Sequence, residues 1–343
     1  MPTFPGVVAV AAAVTLALAG CTADDAEDPR TDTGRSSCAT ADGEGPRVGL
    51  AYDVGGRGDH GLNDGAYAGL VAAVDEVDAT CVEAEADPGE SASDRVGRIR
   101  KLAVEGHDPV IAIGDEYVDA TAELAAEFPD TSFAVVGVAA ETPAPPDNVA
   151  HLVFADAEGS HLVGAAAAAA SSTGKVGVVG LATTPRDVVD GFRAGARATR
   201  RDVVVRVGLV ERPRRLRAAA AAQLRRGVDV VYDVSGTARS GVPRAVTAAE
   251  EEGLVIGFGA DLRPALPQAE QEAVLTSMLR RADTATLSVV RGAAEGEPVR
   301  GRQTLGVAED GVGWATPGDL PDDVAEALEA AAERVEAGPV TAR

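Results

Sequence analysis

After Pro46, short apolar runs alternate with longer segments whose apolar residues recur at helical spacing. The runs Val48–Tyr52, Cys81–Ala84, Val110–Ile113, Ser132–Val136 and Val149–Phe154 read as strands. Between them, Asp64–Asp78, Ala92–Glu105 and Glu116–Phe128 read as helices, the last stopped before Pro129. Asp156–Ser172 is an alanine-rich helix, after which the cycle restarts. Strands are expected at Val176–Val179, Val203–Val207, Val228–Tyr232 and Leu254–Phe258, with helices at Asp187–Arg200, Arg215–Arg226 and Arg239–Glu252. Then come a strand at Val274–Ser277, a helix to about Arg291, a hairpin from Gln303 to Ala315 and a last helix, Asp322–Glu336. Strands that alternate with helices imply parallel sheets covered on both faces, because a parallel crossover needs a helix to return the chain. Roughly 300 residues exceed what one compact core usually takes. The expectation is therefore α/β, with two doubly wound parallel-sheet lobes and a ligand cleft between the carboxyl ends of their strands. Lobe 1 is expected over residues 47–155 with about 275–298, and lobe 2 over 156–274 with about 299–343.

The first residues read differently. Val7–Ala19 is thirteen residues without a charge. A membrane-spanning helix needs about 20 apolar residues, so the run is too short to span but suits the core of an export signal. It ends in Leu18-Ala19-Gly20-Cys21, small residues before a cysteine, as a lipoprotein signal peptidase requires. Residues 1–20 are read as a lipoprotein signal peptide and Cys21 as the lipidated residue; an ordinary secretory signal without lipid is the alternative. Residues 21–46, rich in Asp, Thr, Ser and Gly, read as a flexible tether. Such a coil reaches roughly 25–30 Å. The localisation that follows is the extracytoplasmic face of the cell membrane, held through lipid on Cys21.

The net charge is -23. That argues against nucleic acid as a partner, which needs a basic surface, and against lying flat on anionic lipid. The charge reads as spread along the chain, a device of solubility. With Cys21 lipidated, Cys38 and Cys81 remain; outside the cytoplasm they could form a disulfide or stay as two thiols. His60, His107, His151 and His161 are scattered, so no metal site is expected.

The loops that follow the strands carry the candidate site. The first, from Tyr52 to Asp64, holds Asp59, His60 and Asn63 among glycines that allow close backbone approach. Gly56, Gly58 and Gly61 have the spacing of a dinucleotide fingerprint, but Asp59 and Asp64 would repel a pyrophosphate, and no cofactor is expected. Later loops present Asp119, then Asp233 to Gly236, then Gly259 to Asp261. Carboxylates at strand ends suit sugar or nucleoside hydroxyls, and the same residues also serve as helix caps. Asp64 and Glu116 read as caps; Asp59 and Asp261 are harder to explain that way. Replacing Asp59 by Ala is accordingly expected to weaken ligand binding by roughly tenfold without lowering stability of the empty protein. No Gly-x-Ser-x-Gly and no His-Glu-x-x-His occurs, so the chain does not read as an enzyme.

These segments together resemble the basic membrane protein family, lipoproteins similar to the purine nucleoside receptor A of spirochaetes. The resemblance runs from about Arg47 to Arg291 and rests on AYDVGGRGDHGLNDGAYAGL, AAEFPDTSFAVVG, NVAHLVFADAEGSHLVGAAAAAASSTGKVGVVG, GFRAGARA, GVDVVYDVSG, VIGFGAD and VLTSMLRRAD. It implies a type I periplasmic-binding fold that hands a nucleoside to an ABC permease; a monomer is expected. It assigns Asp59 to the acid that reads the base, Gly236 to a pocket glycine, Asp119 to a further pocket acid and Arg280 to a ligand-contacting lysine position. Asp261 matches the acid beside the ribose clamp, with Asn63 and His60 in the first loop as further contacts. Three positions depart from the family. Leu62 stands where a Phe stacks on the base, Val188 where a second aromatic is expected, and Gly259 where an Asp holds the ribose hydroxyls. The ligand is therefore left open. A sensor that presents its bound state to a membrane kinase and an extracytoplasmic enzyme acting on a sugar or nucleoside are the competing functions.

Overall fold

Strands β1 (Arg47–Ala51), β2 (Thr80–Ala84), β3 (Val110–Ile113), β4 (Phe133–Val136), β5 (Val149–Phe154) and β11 (Gly301–Leu305) form one six-stranded sheet in the order β11-β5-β4-β3-β1-β2. Every neighbouring pair is parallel. β3, β4 and β5 are buried along their whole length, which is why they read as continuous apolar runs rather than alternating ones. The computed structural model describes Met1, Cys38 and residues 42–236, 240–249, 253–318 and 320–338. The predicted signal segment, Cys21, most of the tether, Thr237 and the two ends of the predicted helix Arg239–Glu252 lie outside the described residues.

Helices α1 (Leu62–Val77) and α9 (Ala282–Ala294) cover one face of this sheet, and α2 (Ala92–Val104) and α3 (Val118–Ala125) the other. α2 starts with a capping box in which Ser91 and Asp94 satisfy each other's backbone N–H.

The second sheet repeats the plan. β6 (Lys175–Leu181), β7 (Val204–Val210), β8 (Val230–Asp233), β9 (Leu254–Gly259), β10 (Val274–Arg280) and β12 (Val312–Trp314) run in the order β12-β10-β9-β8-β6-β7. Only β12 is antiparallel, on β10. Around it lie α4 (Asp156–Ala170), α5 (Arg186–Thr199), α6 (Leu216–Leu224), α7 (Val242–Thr247), the short α8 (Gln268–Gln271) and α10 (Asp322–Glu336). α4 is buried from Gly159 to Ala168, as an alanine-rich helix without a polar stripe must be. α5 crosses it at backbone distance. A Cβ on Gly164 would stand 2.2 Å from the Phe192 carbonyl oxygen, and one on Gly195 only 1.9 Å from that of His161. Alanine at either position would drive the two helices apart.

The chain passes between the sheets three times, at Phe154–Asp156, Arg280–Ala282 and Leu305–Val312. The passages are tied together: Ala155 N–H donates to the Leu305 carbonyl (3.0 Å) and Arg281 N–H to that of Gly311 (2.8 Å). This connectivity corrects two expectations. Residues 275–298 do not all join lobe 1, because Val274–Arg280 pairs with β9 in the second sheet and only α9 returns to the first. Nor do 299–343 all join lobe 2, since Gly301–Leu305 pairs with β5. The predicted hairpin is a turn between lobes. Asp310, at φ 51°, and Gly311 lie in the turn that joins β11 to β12, and those two strands belong to different sheets. The predicted helix from Arg239 is also shorter among the described residues, Val242–Thr247, with Gly241 at φ 74° before it.

Cys38 and Cys81 form a disulfide that joins the segment before β1 to edge strand β2. Among the described residues no helix is long and apolar enough to cross a membrane.

Candidate functional site

The loop from Asp53 to Gly61 is organised by three side chains. Asn63, buried in the first turn of α1, accepts from the Asp53 N–H (3.0 Å) and donates to the Asp53 carbonyl (3.4 Å). Asp59 accepts from the N–H groups of Gly61 (2.7 Å), Asn63 (3.2 Å) and Asp64 (3.2 Å). These are donors that a helix start leaves without partners, so Asp59 is the cap of α1. Asp64 accepts in turn from Gly58 N–H (2.7 Å) and His60 N–H (2.8 Å). His60 is exposed, with φ 51°.

The second lobe answers with the ends of β8, β9 and β10. Asp233 is buried and accepts from Ser235 N–H (3.1 Å) and from the Ser240 hydroxyl. Gly236 and Gly259 have φ 67° and 89°, and a Cβ on either would meet nothing within 4 Å. Asp261 accepts from Arg263 N–H (3.1 Å), which caps the short turn beyond it. Arg280 holds Asp156 through two parallel hydrogen bonds, Nε to Oδ1 at 2.8 Å and Nη2 to Oδ2. Its guanidinium carbon lies 4.8 Å from the centre of the Phe258 ring. Behind Phe258, Tyr232 meets it edge-on at 6.1 Å and stacks on Phe192 at 5.0 Å.

Between these two sets of loops lies a cleft of about 660 Å³. Of the residues expected in the site, Asp59, His60, Asn63, Gly236, Asp261 and Arg280 all line it. Asp119 does not. It is exposed in the first turn of α3, whose inward face is taken by Ala120, Thr121 and Leu124. Leu62 lines the cleft, whereas Val188 is fully buried in the second lobe's core, so no stacking position is vacated there. Asp53 and Asp233, which stand in the candidate loops but were not singled out, and Phe258, which was read as strand, also line the cleft. Each stands at or next to the carboxyl end of a strand, the signal that could have found them.

The cleft is acidic. Asp53, Asp59, Asp233 and Asp261 line it, and Arg280 is the one Lys or Arg among the described lining residues, its charge already met by Asp156. Burial holds the Asp53 carboxyl above its ordinary range; the Val54 N–H opposes the rise, while Glu116 and Asp115 add to it. Burial also pushes up the Asp233 carboxyl, against the pull of Ser240 and Ser235. Donors from a ligand would stabilise the charged forms that burial penalises. Phosphate would meet carboxylates and, among the described lining residues, no free cation. The other three histidines are buried elsewhere, with burial holding each below its usual range. Among the described residues no group of side chains is placed to hold a metal.

The capping role changes what Asp59→Ala should do. Three backbone donors lose their acceptor, so the substitution is now expected to cost about 1–2 kcal/mol of stability, read as a lower urea midpoint. An unchanged midpoint would show that water caps α1 as well as the carboxylate does.

A model of the family described as "ABC transporter substrate-binding protein PnrA-like" matches residues 47–337. The ABC transporter nucleoside-binding protein BmpA of Lactococcus lactis subsp. cremoris is 29% identical over 69% of this chain. The match spans 66% of that relative, just under two thirds of its length. An ABC transporter solute-binding protein from Aeropyrum pernix superposes with a TM-score of 0.62 at 25% identity, over 84% of this chain and 86% of its own. One from Conexibacter woesei reaches 0.71 at 21% identity, over 86% and 98%. The fold is the type I periplasmic-binding fold expected from the sequence.

Proposed function

Because the chain belongs to the family of PnrA-like ABC transporter substrate-binding proteins, we propose that it is an extracytoplasmic lipoprotein that closes two lobes on a small, polar, non-anionic ligand and delivers it to an ABC permease. The observation that carries this reading is the cleft between the carboxyl ends of two parallel sheets, faced by Asp53 and Asp59 from one lobe and Asp233 and Asp261 from the other. Such carboxylates accept from hydroxyl and amino groups, and closure would shield those bonds from water. A nucleoside is the ligand class we favour. The nucleoside-binding name of the Lactococcus relative supports it, as does Phe258, an aromatic wall in a cleft where Leu62 offers none. Lipid on Cys21 would hold the protein at the membrane as a monomer. The family is one of solute-binding proteins, not enzymes.

The test is thermal stabilisation of the unit from Arg35 onward, which contains both sheets, against nucleosides, their 5′-monophosphates, bases and sugars. A nucleoside at about a hundred times its Kd should add about 2.7 kcal/mol. The matching monophosphate should add nothing. Stabilisation by another ligand class alone would retain the transport reading and remove the nucleoside. Turnover of the bound molecule would remove both.

A further inference from the structure

The net charge conceals an opposite patch. From Arg197 to Arg226, thirty residues hold ten arginines and only two acids, Asp202 and Glu211. The segment is locally +8, and the remaining residues carry -31. The charge is therefore not spread along the chain. In the fold this segment is the end of α5, edge strand β7, and α6 with its flanking turns. Arg201 precedes β7, Arg212, Arg214 and Arg215 follow it, and Arg225 and Arg226 follow α6; all six are exposed. Among the described residues, Arg200 is the one member of the ten with an acidic partner, Asp202 at 3.2 Å.

β7 is also the outer strand of its sheet, paired only with β6. Its exposed apolar side chains are Val204 on one face and Val207 and Leu209 on the other, 45%, 41% and 38% exposed. The other exposed large apolar residues of the body, Val54, Val82 and Val104, stand singly on different elements. Seven extended residues span about 23 Å, so exposed arginines stand at both ends of an edge of that length, with exposed aliphatic side chains between them.

We propose that this edge of the second lobe docks on an anionic phospholipid surface. Arginines set at both ends of an edge strand, with exposed valine and leucine between them, suit an extended layer of phosphates better than they suit a compact anion. The -31 elsewhere would be repelled by the same surface, so the field that attracts this edge also orients the molecule. The proposal goes beyond ligand delivery and does not depend on lipid at Cys21.

The unit from Arg35 onward, unlipidated, is sedimented with vesicles of phosphatidylglycerol and phosphatidylcholine in equal parts, or of phosphatidylcholine alone. At about 20 mM salt, where the Debye length is roughly 20 Å, it should pellet with the anionic vesicles only. At about 0.5 M, with screening within roughly 4 Å, it should be released. Arg212→Glu, Arg214→Glu and Arg215→Glu together should cut the bound fraction about tenfold or more. Arg225→Glu with Arg226→Glu tests the far end independently, and melting of each variant checks its fold. Equal pelleting with neutral vesicles, or binding that survives both charge reversals in folded variants, would overturn the proposal. Capture of poly-glutamate without any binding to anionic vesicles would overturn it too, in favour of an acidic protein segment.

Discussion

Arg280→Met is expected to lower the unfolding free energy by about 3 kcal/mol, and Asp156→Asn added to it should restore most of that loss. Arg280 ends β10 and Asp156 begins α4, so the pair stands beside two of the three passages between lobes. The Asp156 side chain is only 13% exposed. Removing its guanidinium partner leaves a carboxylate in poor contact with water, and breaking a buried pair from one side costs about 3–5 kcal/mol. Partial exposure of Arg280 (25%) places the expectation at the lower end. Among the described residues Arg280 is the one cation within ion-pair distance of Asp156. Deleting both charges removes the lone carboxylate, so the double variant should sit near the parent. Urea melts of the two single variants and the double variant close the cycle. A double variant no better than Arg280→Met would locate the loss in the lost packing on Phe258 instead.

That pair marks the boundary of what the residues revealed before folding. The β/α alternation was legible because each buried strand is a run of four to seven apolar residues, and a parallel sheet tolerates little else. Lobe membership was legible up to β10. Val274–Arg280 and Gly301–Leu305 each look like a strand, but nothing local says which sheet receives it; pairing with β9 or β5 is decided by tertiary contact. In the cleft, the residues were placed correctly, but the backbone hydrogen bonds they also make were not read. Asp59, Asn63 and Asp261 line it, yet each spends hydrogen bonds on nearby backbone. A cap and a ligand contact ask for the same residue types at the same strand-to-helix turn, so sequence separates them poorly. Phe258 went unnoticed for the opposite reason: an aromatic in an apolar strand reads as core, and only its place beside Arg280 puts it at the cleft.

Replacing Cys38 and Cys81 together by serine is expected to cost about 4 kcal/mol, the chain entropy regained when a loop of 43 residues is opened in the unfolded state. For a body of roughly 300 residues that is a fall of about 6 °C in Tm. The closed loop contains β1, the whole cleft loop from Asp53 to Gly61, and α1. It ends on β2, an edge strand whose only partner in the sheet is β1. Half of the candidate site is thus held between a disulfide and the ladders that β1 makes with β2 and β3. Cys81 is the second residue of β2, at the end of the sheet away from the cleft. If the chain before Cys38 runs to a membrane anchor, the bond delivers any pull to that far end and leaves the cleft loops free to move with their lobe. The variant should therefore lose stability while a ligand still raises its Tm by as much as it raises the parent's. A loss below about 1 kcal/mol would mean that the unfolded chain is already compact across this loop. Loss of the ligand shift in a folded variant would mean that the bond sets the cleft loop's shape as well as its stability.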